Sequence, residues 1–185
     1  MTRAAFEEAF ARTIWKEGGD KFSNNKNDSG GATRYGVTER VAREEGYAGP
    51  MNQLPLSIAK GIAKRRYWDQ LSLDRVSDLA PVVAEELFDT SYNMGQGVAG
   101  RFLQRALNGF NLFGTIYPDL TEDGIIGSGT ITALAAYLKH RGRLGETVLV
   151  RALNCLQGAQ YFAIAQNRPK DEEFVYGWML NRVVV

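Results

Sequence analysis

The 185-residue chain contains one histidine and one cysteine. A zinc centre draws three or four ligands, mostly of those two types. Any metal site would therefore rest almost wholly on carboxylates, and no metal or cofactor is expected. A single cysteine excludes an internal disulfide. Cys155 shares a helical stripe with Val148, Ala152 and Ala159, which predicts a buried thiol packing as a small hydrophobe. His140 stands in a polar run between Lys139 and Arg141 and reads as a helix-end residue. Ser-His-Asp and Cys-His machineries thus lack their base. There is no Gly-x-Ser-x-Gly elbow and no glycine-rich loop ending in Lys-Ser/Thr. Ser57-Ile58-Ala59-Lys60 has Ser-x-x-Lys spacing, but no Lys-Thr-Gly follows. Ser57 reads as a helix cap and Lys60 as a solvated residue.

Charge of one sign is also missing. Twenty-two Lys+Arg face 21 Asp+Glu, for a net charge of +1. Without a basic block, nucleic-acid binding by counter-ion release has no footing. No run approaches the ~20 apolar residues of a membrane span, so no membrane insertion is expected. The first residues are charged and lack a signal-peptide core. The chain is expected to be made in the cytoplasm without that export signal. With 44% apolar and 23% charged residues, it has the balance of a globular protein with a real core.

Helical periodicity dominates what is present. Phe6, Phe10 and Ile14 recur at four-residue spacing and predict an amphipathic helix over 2–16. Gly18-Gly19 ends it. The Asn/Asp/Gly-rich stretch 20–31 is a loop, and 32–37 supplies at most a small β-hairpin. Thr38 caps a helix reaching 45, which Gly46 stops. Further helices are predicted over 57–71, from Pro81 to a break at Gly95, and over 98–108, 128–139, 144–166 and 171–183. The fold class is mainly α, with about eight helices and almost no strand.

The remaining chemistry is that of carboxylates. Glu17 ends the first helix, where the dipole disfavours ionisation. Trp15, Phe22 and Tyr35 are candidates to desolvate it. Both effects would raise its pKa, as a general acid in glycosidic cleavage requires. From position alone, Glu17 reads first as an ordinary terminal-turn residue.

Its context is more specific. Glu17-Gly18-Gly19, followed by Asp28-Ser29-Gly30-Gly31-x-Thr33-x-Tyr35-Gly36-Val37-Thr38, resembles the signature of the glycoside hydrolase family 108 muramidases. Tyr67-Trp68, Leu87-Phe88-Asp89 and Asn93-Met94-Gly95 extend the likeness. The second half resembles the peptidoglycan-binding region that accompanies the family. Its matching residues are Leu103-Gln104, Asp123-Gly124-Ile125-Ile126-Gly127-x-x-Thr130 and Phe174-x-x-Gly177-Trp178-x-x-x-Arg182. Asp20 departs from the family's tyrosine, Ser29 from its proline and Val37 from its isoleucine.

The resemblance implies a lysozyme-like fold with a catalytic region over 1–90. A helical peptidoglycan-binding region over 91–185 would pack on it as one body. It implies a phage endolysin-like N-acetylmuramidase cutting the β-1,4 bond between N-acetylmuramic acid and N-acetylglucosamine. Glu17 would be the general acid, with Asp28 and Thr33 following in the order of lysozyme sites. Asp28 equally suits an Asx turn, and Thr33 a packing role. Tyr35 and Asn93 are candidates for substrate contact, though Asn93 also suits a helix end. Trp68 and Trp178 could stack sugars or fill the core. The implied partners are peptidoglycan glycan strands, met by a monomer. If phage-encoded, the protein would need a separate holin-type membrane-permeabilising protein. A non-catalytic wall-binding or virion-structural protein is the alternative, and a lytic transglycosylase the nearer enzymatic rival.

Overall fold

The computed structural model describes residues 2–16, 19–24 and 31–183, with the side chains of Thr2 and Arg3 outside that set. The chain opens with helix α1 (Thr2–Lys16). Three two-residue strands follow: β1 (Phe22–Ser23), β2 (Thr33–Arg34) and β3 (Val37–Thr38). They form an antiparallel sheet in the order β1-β2-β3. Tyr35 and Gly36 make the β2–β3 turn, with φ of +52° and +70°. Left-handed φ at both central residues is the geometry whose twist suits a two-residue hairpin. Helix α2 (Glu39–Glu44) starts where the Thr38 side chain accepts from the Val41 N–H, as the sequence predicts.

The single helix expected over 57–71 is three pieces. Helix α3 (Leu56–Ala63) passes into a π turn (Lys64–Trp68) and then a 3-10 turn (Asp69–Leu71). Pro55, not Ser57, precedes the first turn. The π turn widens the helix locally and carries Trp68 into the core. Its ring meets Phe6 and Phe88 edge-on, 5.5 and 5.7 Å between centroids. Helix α4 (Leu73–Leu79) begins at Ser72, whose φ is +51°. Ser72 is a residue type favoured at helix caps, but its side chain makes no cap hydrogen bond here.

Helix α5 (Pro81–Met94) has Pro at its first position, where the missing N–H costs nothing. It packs against α1, α4, helix α6 (Gln96–Phe110) and helix α8 (Gly145–Asn167). Helix α7 (Ser128–Arg141) and helix α9 (Glu172–Arg182) complete the array. His140 lies exposed in the basic last turn of α7, which complements the helix dipole. One buried apolar cluster runs from Phe6 in α1 to Leu153 in α8. The fold is mainly α and lysozyme-like. Cys155 is exposed on α8, contrary to the buried thiol its stripe predicts. The face of α8 that meets the core carries Leu149, Leu153, Gln157 and Tyr161 instead.

The Asp123-Gly124 motif is a clip between the 111–127 loop and α6. Gln104 donates to Asp123 Oδ1 (2.7 Å) and to the Ile125 carbonyl, and accepts from the Gly124 N–H (2.8 Å). Asp123 also accepts from the Ile125 N–H. A Cβ on Gly100 would lie 2.0 Å from the Gly124 oxygen, so this contact admits no side chain.

Candidate functional site

The cleft between the hairpin and the helices encloses about 320 Å³. Gly36, Thr38 and Arg40 form one wall, and Tyr92, Asn93 and Gln96 the other. A second hollow of about 230 Å³ opens on the far side of Asn93, with Tyr161, Arg168 and Trp178 in its lining. Asn93 and Met94 line both.

Asn93 stands in the last turn of α5, where its Oδ1 accepts from the Tyr161 hydroxyl at 3.0 Å. It thus links the N-terminal half to α8. Tyr161 in turn stacks on Trp178 at 5.0 Å. Trp178 is half-buried beside the second hollow, whereas Trp68 is fully buried and unavailable to a sugar. Tyr35 is half-buried in the hairpin turn. Its carbonyl accepts from the Tyr92 hydroxyl at 2.7 Å, and the Arg34 guanidinium lies 5.0 Å from its ring centre. Thr33 donates to the Gly31 carbonyl at 3.3 Å. An extended strand would have put Thr33 and Tyr35 on one face, but the left-handed turn at Tyr35 ends the strand before it.

Glu17 and Asp28 lie outside the described residues. The described chain resumes at Gly19, and Lys16 is the last described residue before Glu17. Lys16 ends α1, and the Gly19 N–H donates back to the Ile14 carbonyl at 2.9 Å with φ of +73°. That backward bond is a glycine-dependent helix closure. Trp15 is 79% exposed and Phe22 46%.

A polar cluster missed by sequence reasoning sits against the end of α1. Asp89 on α5 is buried and receives three partners. Thr13 donates at 3.4 Å, Lys16 Nζ lies at 3.3 Å, and Arg182 of α9 donates to both oxygens at 3.2 and 3.1 Å. One turn earlier on α5, Glu86 accepts from Thr90 and is hydrogen-bonded to Asn154. Burial, with Asp89 beside it, pushes the Glu86 carboxyl up to about 7. Asp89 and Arg182 fall in the two sequence motifs singled out above. Asp89 lies off the stripe of Ala84, Leu87, Phe88 and Ser91, so helical periodicity alone assigns it to a solvated face.

Residues 10–95 match the model of glycosyl hydrolase 108. That region belongs to the glycosyl hydrolase 108 family. Residues 98–183 match a model described as a predicted peptidoglycan domain. The fold is similar to that in "Structure of Brucella abortus SagA", with a TM-score of 0.65 at 19% identity over 99% of this chain and 98% of that one. No curated protein sequence matches the chain. The glycosyl hydrolase 108 region and the peptidoglycan domain together make this a glycoside hydrolase that acts on peptidoglycan. Among the described residues, no helix is long and apolar enough to cross a membrane.

Proposed function

We propose that the protein is an N-acetylmuramidase, hydrolysing the β-1,4 bond between N-acetylmuramic acid and N-acetylglucosamine with Glu17 as general acid. The observation that carries this reading is the position of Glu17 in the chain, directly after the last residue of α1 in a glycosyl hydrolase 108 region. Glu17 would protonate the leaving glycosidic oxygen as the bond breaks and the sugar gains oxocarbenium character. Asp28, in the connection between β1 and β2, either stabilises that charge or orients the attacking water. Thr33 on β2 assists in holding the water. Asn93, in the cleft lining, and Tyr35, next to the wall residue Gly36, contact the glycan. In this reading residues 91–185 pack on the catalytic part and add wall contact. A role in host lysis would follow the family resemblance, with a separate membrane-permeabilising protein admitting the enzyme to the wall.

The test is product analysis on purified peptidoglycan. New reducing ends on muramic acid, abolished by Glu17→Gln at equal folding, support the reading. Free amino groups without reducing ends overturn it. A 1,6-anhydro product assigns the site to a lytic transglycosylase instead. Lysis unchanged by Glu17→Gln removes Glu17 from the chemistry.

A further inference from the structure

The final helix of the peptidoglycan region ends in a residue that reaches the other half of the molecule. Arg182 is only 5% exposed, and its partner Asp89 2%. Two charges taken this far from water are costly, and a well-packed apolar pair would often stabilise as much. What the ion pair provides beyond stability is a fixed position. Asp89 sits 93 positions from Arg182 and simultaneously engages Thr13 and Lys16. Those two residues are three apart and face the same way on the last turn of α1. The terminal turn of a helix has unpaired carbonyls and frays unless something holds it. Here it is held from the side by Asp89 and closed from above by the Gly19–Ile14 bond. Arg182 neutralises and orients the carboxylate on which that side anchor depends.

We propose that Arg182 and Asp89 are positioning residues for the general acid: through Lys16 they fix the end of α1, one residue before Glu17, making α9 part of the catalytic apparatus. The proposal rests on Glu17 being the acid. It gives the second region a task that wall binding does not require. A reacting group displaced by about 1 Å can lose 10²-fold in rate, which sets the scale of the expected effect.

The experiment compares wild type, Arg182→Met, Arg182→Lys, Lys16→Met and Glu17→Gln in the full chain. Turnover and KM are measured on soluble glycan strands, and affinity is measured on cell-wall sacculi. Temperatures are kept well below each variant's melting point. Arg182→Met and Lys16→Met are expected to lower kcat by about 10- to 100-fold while KM and sacculus affinity stay within about twofold. Arg182→Lys, which keeps the charge, is expected to recover most of the lost turnover. Unchanged kcat, or a loss confined to KM or sacculus binding, overturns the proposal. If Arg182→Met does not fold, Lys16→Met decides, because that side chain is partly exposed. Full turnover in Glu17→Gln removes Glu17 as the acid, and with it the assignment on which the proposal rests. An inactive Glu17→Gln beside fully active Arg182→Met and Lys16→Met overturns only the positioning role.

Discussion

The hydroxyl of Tyr92 donates to the backbone carbonyl of Tyr35 at 2.7 Å, so the last turn of α5 holds the hairpin turn that faces it across the cleft. Tyr35 is a non-glycine residue at φ +52°, a conformation costing roughly 1–2 kcal/mol. Tyr92→Phe keeps the ring, which packs on Tyr67 and Phe88, and removes the hydroxyl. It should cost about 1 kcal/mol in denaturant unfolding. Activity should fall more than stability alone explains, because the hairpin wall is no longer tied. Unaltered activity on peptidoglycan would show that the turn holds its place without the bond.

Gly100→Ala should destabilise the fold by about 1–3 kcal/mol or more. The new Cβ would meet the Gly124 oxygen at 2.0 Å, and both partners are backbone. Gly129→Ala is the control, since a Cβ there meets nothing within 4 Å and alanine favours the helix. Melting temperatures of the two variants, compared with wild type, give the answer. Equal melting of both would show that α6 can move off the loop at no cost.

The stability of the protein should fall as pH rises through the Glu86 transition. The Glu86 carboxyl ionises near 4.5 when unfolded and at about 7 in the fold. The folded state therefore holds the proton more tightly, and the penalty for ionisation grows between those two values. Glu86→Gln should leave stability nearly unchanged at pH 4.5. At pH 8 it should stabilise by on the order of 1–3 kcal/mol relative to wild type. Denaturant midpoints across that range test it. A difference independent of pH would place the ionised carboxylate in a site that already compensates its charge.

A fragment ending at Thr90 should aggregate or fail to fold. It cuts α5 and removes α8, against which α5 packs. Leu87 and Phe88, both buried, lose part of their cover, at roughly 1.5–3 kcal/mol for each side chain fully uncovered. Total stabilities are only about 5–15 kcal/mol. Circular dichroism and peptidoglycan hydrolysis by residues 1–90 are the measurements. A folded, fully active fragment would make the second region separable.

Periodicity made most helices readable, because apolar spacing directly reports which face is buried. It failed where a helix changes type. The π turn at Lys64–Trp68 shifts the phase by one residue, so a single stripe over 57–71 describes a shape the chain does not take. It failed also at Cys155, whose small apolar neighbours are themselves not in the core: Ala152 is only partly buried and Ala159 is exposed. The Glu17 signature was legible as an ordered pattern of residue types. The Asp89–Arg182 pair was not, since no spacing rule joins residues 93 positions apart. Both ends stood in motifs, but nothing in the sequence said that the motifs meet.

The two family matches are separated by only the stretch between 95 and 98, where α5 gives way to α6 at Gly95. No tether intervenes, and the ion pair, the Asn93–Tyr161 bond and the apolar cluster all cross the seam. Recombination at that seam would therefore have to exchange matched surfaces along with the sequence. A chimaera joining this N-terminal half to a foreign wall-binding half would leave Asp89 facing a residue not selected to neutralise it. The halves are expected to change together, as partners in one inheritance, and a swap that works should carry its own acidic and basic residues at the positions of Asp89 and Arg182.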